Sequence, residues 1–207
     1  NVGLSWSGYA DYKDMWTVDV FDIFNDTYGV EKNNISKEYI ESSEKLNPSS
    51  RDNIIGIQSQ IWSETIRNED ILDYMFMPNI IVFSQKAWSK DPNWMKISDK
   101  SKRELTLDYE WNKFTNTIGQ RVLPIIDNIY GGLSYDLPKP GGIIKNDSLY
   151  ANSAFPGLNI KYTLDGSLPD NESMNYKNPV KLNQDDIVNL RLFDNKGRGG
   201  YPIQVDK

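Results

Sequence analysis

At 207 residues, 25% charged and 38% hydrophobic, the chain suits one large globular domain or two modest ones, and no stretch approaches the roughly 18 to 20 apolar residues of a membrane-spanning helix. It holds neither cysteine nor histidine, which excludes disulfides, thiolate nucleophiles, a Ser-His-Asp triad and histidine-ligated metal sites. A net charge of −6 without a basic stripe argues against a nucleic-acid partner, while 29 carboxylates beside 6 Trp and 12 Tyr suit a carbohydrate ligand; no cofactor and no metal is expected.

In chain order, Asp11, Asp14 and Asp19 fall close together in a polar stretch and read as solvated acids rather than a paired-carboxylate site. The segment Asn53-Ile-Ile-Gly-Ile-Gln-Ser-Gln-Ile-Trp62 is short and rich in isoleucine. Read at period two, Ile55, Ile57 and Ile61 share one side while Gln58, Gln60, Trp62 and Glu64 share the other. A strand followed directly by helices predicts part of a parallel α/β sheet, with its apolar side under the helices. In a (β/α)8 barrel, the C-terminal end of such a strand faces the active site.

Asn68 is placed to cap a helix beginning Glu69-Asp70, two acids that suit the positive end of its dipole. Pro78 predicts the first position of a second helix running to about Trp88, with Ile80, Phe83 and Ala87 on its buried face. A third is expected over residues 105–123, where Leu107, Trp111, Phe114, Ile118 and Val122 recur at spacings of four and three. Pro124 should end or bend it, and Gly131-Gly132 should close the region. Trp88, Trp94 and Trp111 are expected to pack. The isoleucines of the predicted strand are expected beneath Ile80, Phe83, Phe114 and Ile118, the arrangement that buries both apolar stripes.

Two prolines and two glycines in Tyr135-Asp-Leu-Pro-Lys-Pro-Gly-Gly142 predict a linker. Beyond it the apolar residues alternate. Strands are expected at 148–153, 159–164, 179–182, 187–193 and 201–205, with turns at Asp165-Gly166 and Asn195-Lys196-Gly197. That pattern predicts a small all-β sandwich. The first 140 residues offer a single convincing parallel-type strand, which cannot make a sheet alone. With an opening, Asn1-Val-Gly-Leu-Ser-Trp6, that shows neither a start methionine nor a signal peptide, the chain is expected to be the C-terminal piece of a longer polypeptide.

Several runs resemble glycoside hydrolase family 20, the β-N-acetylhexosaminidases and bacterial chitobiases. Gly3-Leu-Ser-Trp-Ser-Gly-Tyr9 is similar to the loop after that family's seventh barrel strand. Ile55-Gly-Ile-Gln-Ser-Gln-Ile-Trp-Ser-Glu64 resembles its eighth strand, which ends in Trp-x-Glu. Leu72-Asp-Tyr-Met-Phe-Met-Pro78 through Gln85-Lys-Ala-Trp-Ser89 resembles the helix that follows, and Tyr109-Glu-Trp-Asn-Lys-Phe114 the last barrel helix. Pro156-Gly-Leu-Asn-Ile-Lys-Tyr-Thr-Leu-Asp-Gly-Ser167 and Arg191-Leu-Phe-Asp-Asn-Lys-Gly-Arg198 resemble the small C-terminal β-domain of chitobiase-type enzymes. Asn79 and Gln85 depart from the Arg and Glu usual there, and residues 29–53 look longer and more polar than the typical connection.

The resemblance implies residues 1–137 as the C-terminal part of a catalytic (β/α)8 TIM barrel, its last strand and helices, and residues 138–207 as an accessory β-sandwich. It implies an exo-acting enzyme that removes terminal N-acetylhexosamine from glycans by substrate-assisted retaining hydrolysis, in a secreted, periplasmic or cell-surface bacterial setting. Trp62 matches the pocket wall against which the sugar packs, Glu64 the carboxylate that accepts ring-hydroxyl hydrogen bonds, and Trp6 borders the rim. The family's Asp-Glu catalytic pair lies in a histidine-containing segment that this chain does not include, so no catalytic residue is expected here, and the rest of the polypeptide is its implied partner. Tyr9-Ala-Asp11 spells the family's Tyr-x-Asp but follows the Gly-Leu-Ser-Trp landmark instead of preceding it, so its role is not carried over. The alternative is a non-catalytic carbohydrate-binding or structural module built on the sandwich, with Tyr150, Phe155, Tyr162, Tyr176, Phe193 and Tyr201 as its available aromatics.

Overall fold

A computed structural model of the chain describes residues 12–21, 37–42 and 44–206. It divides into two compact units, Asn1–Leu107 and Asp108–Lys207.

The described part of the first unit is helical: α1 (Tyr12–Thr17), α2 (Lys37–Ser42), a 3-10 turn (Pro48–Asn53), α3 (Glu69–Phe76), α4 (Asn79–Trp88), a second 3-10 turn (Asn93–Lys96) and the start of α5 (Lys100–Thr117). α3 begins where its cap predicts. The Asn68 side chain accepts the Ile71 amide at 2.9 Å, satisfying one of the orphan donors of the first turn. α4 starts one residue later than expected, with Pro78 at its cap, whose carbonyl accepts from the amides of Ile81 and Val82. α1 lies against α4. The first unit's buried side chains include Met15, Trp16, Val82, Trp94 and Leu107, with Thr17 beside them. The Trp16 and Trp94 rings meet at 6.1 Å between centroids, tilted by 33°, a separation at which aromatic pairs attract.

Two expectations are corrected in α4. Val82, not Ala87, is its fully buried residue, while Ile80 and Phe83 are half-buried and Ala87 is exposed. Trp88 is 90% exposed rather than packed, whereas Trp94 is buried and Trp111 half-buried.

The largest correction concerns residues 54–62, which form no strand. Ile55 is wholly exposed, Ile61 38% exposed and Ile57 half-buried, so the three do not form one side buried under the helices. The physical reason is that a strand needs a neighbour for its backbone N–H and C=O groups. No strand of the first unit exists among the described residues to supply one, and no parallel sheet or closed barrel is seen there.

In the second unit α5 runs on through a π turn (Ile118–Val122) into α6 (Leu123–Ile126) and a 3-10 turn (Ile129–Gly131). The helix therefore continues past residue 123. Pro124 lacks an N–H to donate, and the wider turn just before it absorbs the loss. Ile118 is buried, and Trp111 meets Phe114 at 5.9 Å between ring centroids. Gly119 lies against the backbone of Phe155 and Pro156. A β-carbon there would fall 2.0 Å from the Pro156 carbonyl oxygen, so only glycine permits this approach.

Seven strands follow: β1 (Gly141–Lys145), β2 (Ser148–Asn152), β3 (Asn159–Thr163), β4 (Met174–Asn175), β5 (Val180–Lys181), β6 (Val188–Phe193) and β7 (Ile203–Val205). They make two antiparallel sheets, in the orders β1-β2-β5 and β4-β3-β6-β7. Leu149, Tyr162, Leu182, Val188, Leu190 and Val205 close the core between them. All five expected strands are present, slightly shorter; β1 and β4 are additional. β1 falls on the Gly-Gly that had read as a linker. A β-carbon on Gly142 would lie 2.7 Å from side-chain atoms of Leu190 and Val205, so the glycine lets β1 sit close on the opposite sheet. Asn146 and Asp147, at φ 52° and 50°, then turn β1 into β2, the two left-handed residues of a tight hairpin.

Candidate functional site

Trp62 and Glu64 lie two residues apart where the coil of 54–62 enters a turn. The Ile66 amide donates to the Ser63 carbonyl at 3.1 Å, placing Glu64 at the corner, and the Thr65 hydroxyl reaches the Met75 sulfur of α3 at 3.8 Å. Trp62 is 67% exposed and Glu64 exposed. Glu64 does not serve the α3 dipole: Glu69 and Asp70 occupy that first turn, and Asn68 caps it. An indole face and a carboxylate are thus displayed on one short connection. Such a pair can cover the apolar face of a ring and accept hydrogen bonds from its hydroxyls. Trp6 lies outside the described residues, as do Tyr9 and Asp11.

Asp14, Asp19 and Asp91 serve the local structure of the first unit. Asp14 stands in the first turn of α1, and Asp19 accepts the Phe21 amide at 2.9 Å. The Arg51 guanidinium stacks 4.0 Å from the Phe21 ring centre and pairs with Asp91 at 3.2 Å. No group of three or more potential metal ligands occurs among the described residues.

The second unit holds a cluster that sequence reasoning did not single out. Arg198, after β6, donates to Asp127 at 2.9 Å, to Asp194 and to the Leu133 carbonyl at 2.8 Å, and lies 4.6 Å over the Tyr135 ring. The Tyr135 hydroxyl donates to the same Asp127 oxygen at 3.1 Å. Burial, then the nearby charges of Asp194 and Asp127, push the Tyr135 phenol well above its ordinary range. Tyr135 and Leu137 are buried, so the predicted linker is instead bound to the sandwich. The single guanidinium bridges both carboxylates and the Leu133 carbonyl, and the cluster holds chain segments together. Its only sequence signal is the Asp194-Arg198 spacing.

An open depression on the second unit is lined by Tyr162, Leu164, Asp165, Glu172, Met174 and Asp186, among others. It contains none of the predicted site residues. Its acid Asp165 and the neighbouring Asp170 are held below the usual carboxylate range by the hydroxyls and amides of their own turns, first by Ser167 and Ser173 respectively. They are turn formers.

Set beside known proteins, the chain matches two family models. Residues 6–91, which include Trp6, Trp62 and Glu64, match the family described as glycosyl hydrolase family 20, catalytic domain. Residues 123–200 match the chitobiase/beta-hexosaminidase C-terminal domain. Both matches support glycoside hydrolase family 20 as the family this chain resembles. Among its relatives, it is 33% identical over 120 residues to N,N'-diacetylchitobiase of Vibrio harveyi, a match covering 54% of this chain and 13% of that protein. It is 31% identical over 168 residues to a beta-hexosaminidase of Vibrio vulnificus, covering 73% of this chain and 19% of that protein. The chain thus spans less than a fifth of either relative's length.

Proposed function

We propose that this chain is part of an exo-acting glycoside hydrolase that removes terminal N-acetylhexosamine from oligosaccharides by substrate-assisted retaining hydrolysis. Residues 1–137 supply the C-terminal part of its barrel and residues 138–207 an accessory β-domain. The observation that carries this is the Trp62-x-Glu64 pair, exposed on one turn inside a catalytic-domain match that precedes a C-terminal-domain match.

In this reading the acetamido oxygen of the substrate attacks the anomeric carbon, and an Asp-Glu pair from elsewhere in a longer polypeptide orients it and protonates the leaving oxygen. Trp62 packs against the apolar face of the terminal sugar. Glu64 accepts hydrogen bonds from ring hydroxyls, and a charged acceptor discriminates hydroxyl stereochemistry better than a neutral one. These 207 residues bind but do not turn over substrate.

The test is hydrolysis of an aryl N-acetyl-β-glucosaminide by the 207-residue chain and by a longer protein containing it. Turnover is expected from the longer protein alone. Turnover by the short chain would overturn the division of labour, and none by the longer protein would overturn the activity.

A further inference from the structure

The sheet β1-β2-β5 buries one face in the sandwich and leaves the other outside. Its register sets three outward rungs: Gly141 opposite Asn152, Ile143 opposite Tyr150, and Lys145 and Lys181 on either side of Ser148. Successive rungs on one face of a strand stand about 7 Å apart. In the central rung Ile143 is 62% and Tyr150 43% exposed, although both are apolar enough to be worth burying. In the first rung Gly141 leaves the surface clear. A β-carbon there would come within 2.1 Å of the Asn152 side-chain oxygen, so the amide of Asn152 lies across the glycine, beside the apolar rung.

The third rung carries charge of one sign. The register puts two ammonium groups and no carboxylate on this face, in a chain of net charge −6. Asp147, at the hairpin tip, lies 3.4 Å from the Lys181 ammonium, but that pair is 72% and 82% exposed, and a water-screened pair of this kind holds its partners weakly. An amide, an aromatic–aliphatic pair and a cationic end thus follow one another along a flat face. A tyrosine ring covers the apolar face of a pyranose, an amide both donates and accepts, and a lysine supplies a point charge for an anion.

We propose that this face binds an acidic glycan chain, with a pyranose ring stacked on Tyr150, its hydroxyls on Asn152 and a carboxylate reaching Lys145 and Lys181. The choice of a glycan rests on the hydrolase reading; the sign of its charge rests on the face alone.

The test uses the 207-residue chain and hyaluronan oligosaccharides in surface plasmon resonance, with uncharged chito-oligosaccharides of equal length in parallel. Hyaluronan is expected to bind, more weakly as salt rises, and the neutral oligosaccharide to bind several-fold less. Tyr150→Ala should weaken binding about tenfold while Tyr150→Phe keeps it, a tenfold change being about 1.4 kcal/mol. Lys145→Gln should weaken it about threefold and flatten the salt dependence, and Lys102→Gln, on α5, should do nothing. No binding, equal binding of the neutral probe, or indifference to both Tyr150→Ala and Lys145→Gln would each overturn the proposal. Hydrolysis by the longer protein is a separate readout that these variants leave intact. Its absence in the unsubstituted protein would refute the hydrolase reading without touching the binding result.

Discussion

Replacing Arg198 by alanine tests how the second unit is held together. The guanidinium serves two carboxylates whose side chains are only 4% and 1% exposed, Asp127 and Asp194, along with the Leu133 carbonyl. Alanine leaves both acids buried beside each other without a counter-charge. Breaking a buried pair in this way costs about 3–5 kcal/mol. Arg198 is itself 36% exposed, so water partly fills its place, and the low end, about 3 kcal/mol, is expected. With a urea slope of about 2 kcal/mol/M, the midpoint should fall by about 1.5 M. Urea unfolding of the chain, read by amide hydrogen exchange of β6, isolates this unit. A loss below about 1 kcal/mol would mean that the cluster is a solvated surface pair and the reasoning is wrong.

Gly119→Ala must push the helix from the Pro156 carbonyl and should cost about 1–3 kcal/mol, read as a lower thermal midpoint; an unchanged midpoint would show that the loop simply yields. Tyr135→Phe keeps the ring under Arg198 but deletes the hydroxyl bonded to Asp127, at about 1 kcal/mol near neutrality. Because folding raises the Tyr135 pKa, its contribution is complete below the unfolded value of about 10 and is lost as pH climbs from there towards the folded value; the urea midpoint should therefore fall less steeply from about pH 9 to about pH 11.5 in the phenylalanine variant. In the longer protein, Trp62→Ala and Glu64→Gln should each reduce kcat/KM by about 1.5–3 kcal/mol of transition-state binding with melting unaltered, and wild-type kinetics in both would remove these residues from the site.

What could be read from the sequence was what its neighbours along the chain decide. Asn68 announces α3 because a cap acts within one turn, and Ile160, Tyr162, Leu190 and Leu192 announce β3 and β6 because alternation is a property of the strand itself. The rest depended on distant partners. β1 is hidden because Gly142, which lets it approach Leu190 and Val205, stands in a stretch with the composition of a linker. Tyr135 and Leu137 have the local pattern of a tether, and what fixes their stretch is Arg198, far along the chain. Trp88 and Trp94 carry no local mark of which is buried. For the candidate site the sequence offers the pair Trp62 and Glu64 as a motif and the structure offers their display on one turn. Depth and enclosure, which make a sugar pocket selective, are set by surfaces that neither residue encodes.

The run from Ile54 to Trp62, in which Ile55, Ile61 and Trp62 are exposed, also bears on how the chain behaves in concentrated solution. It contains four isoleucines, no charge and no proline, and its backbone enters no sheet. Segments of that composition stack readily with copies of themselves into cross-β assemblies. The acidic and basic gatekeepers that would interrupt such stacking stand only outside it, at Asp52, Glu64 and Arg67. Unless another surface covers this run, its concentration-dependent self-assembly competes with the folded state and sets the upper limit of solubility.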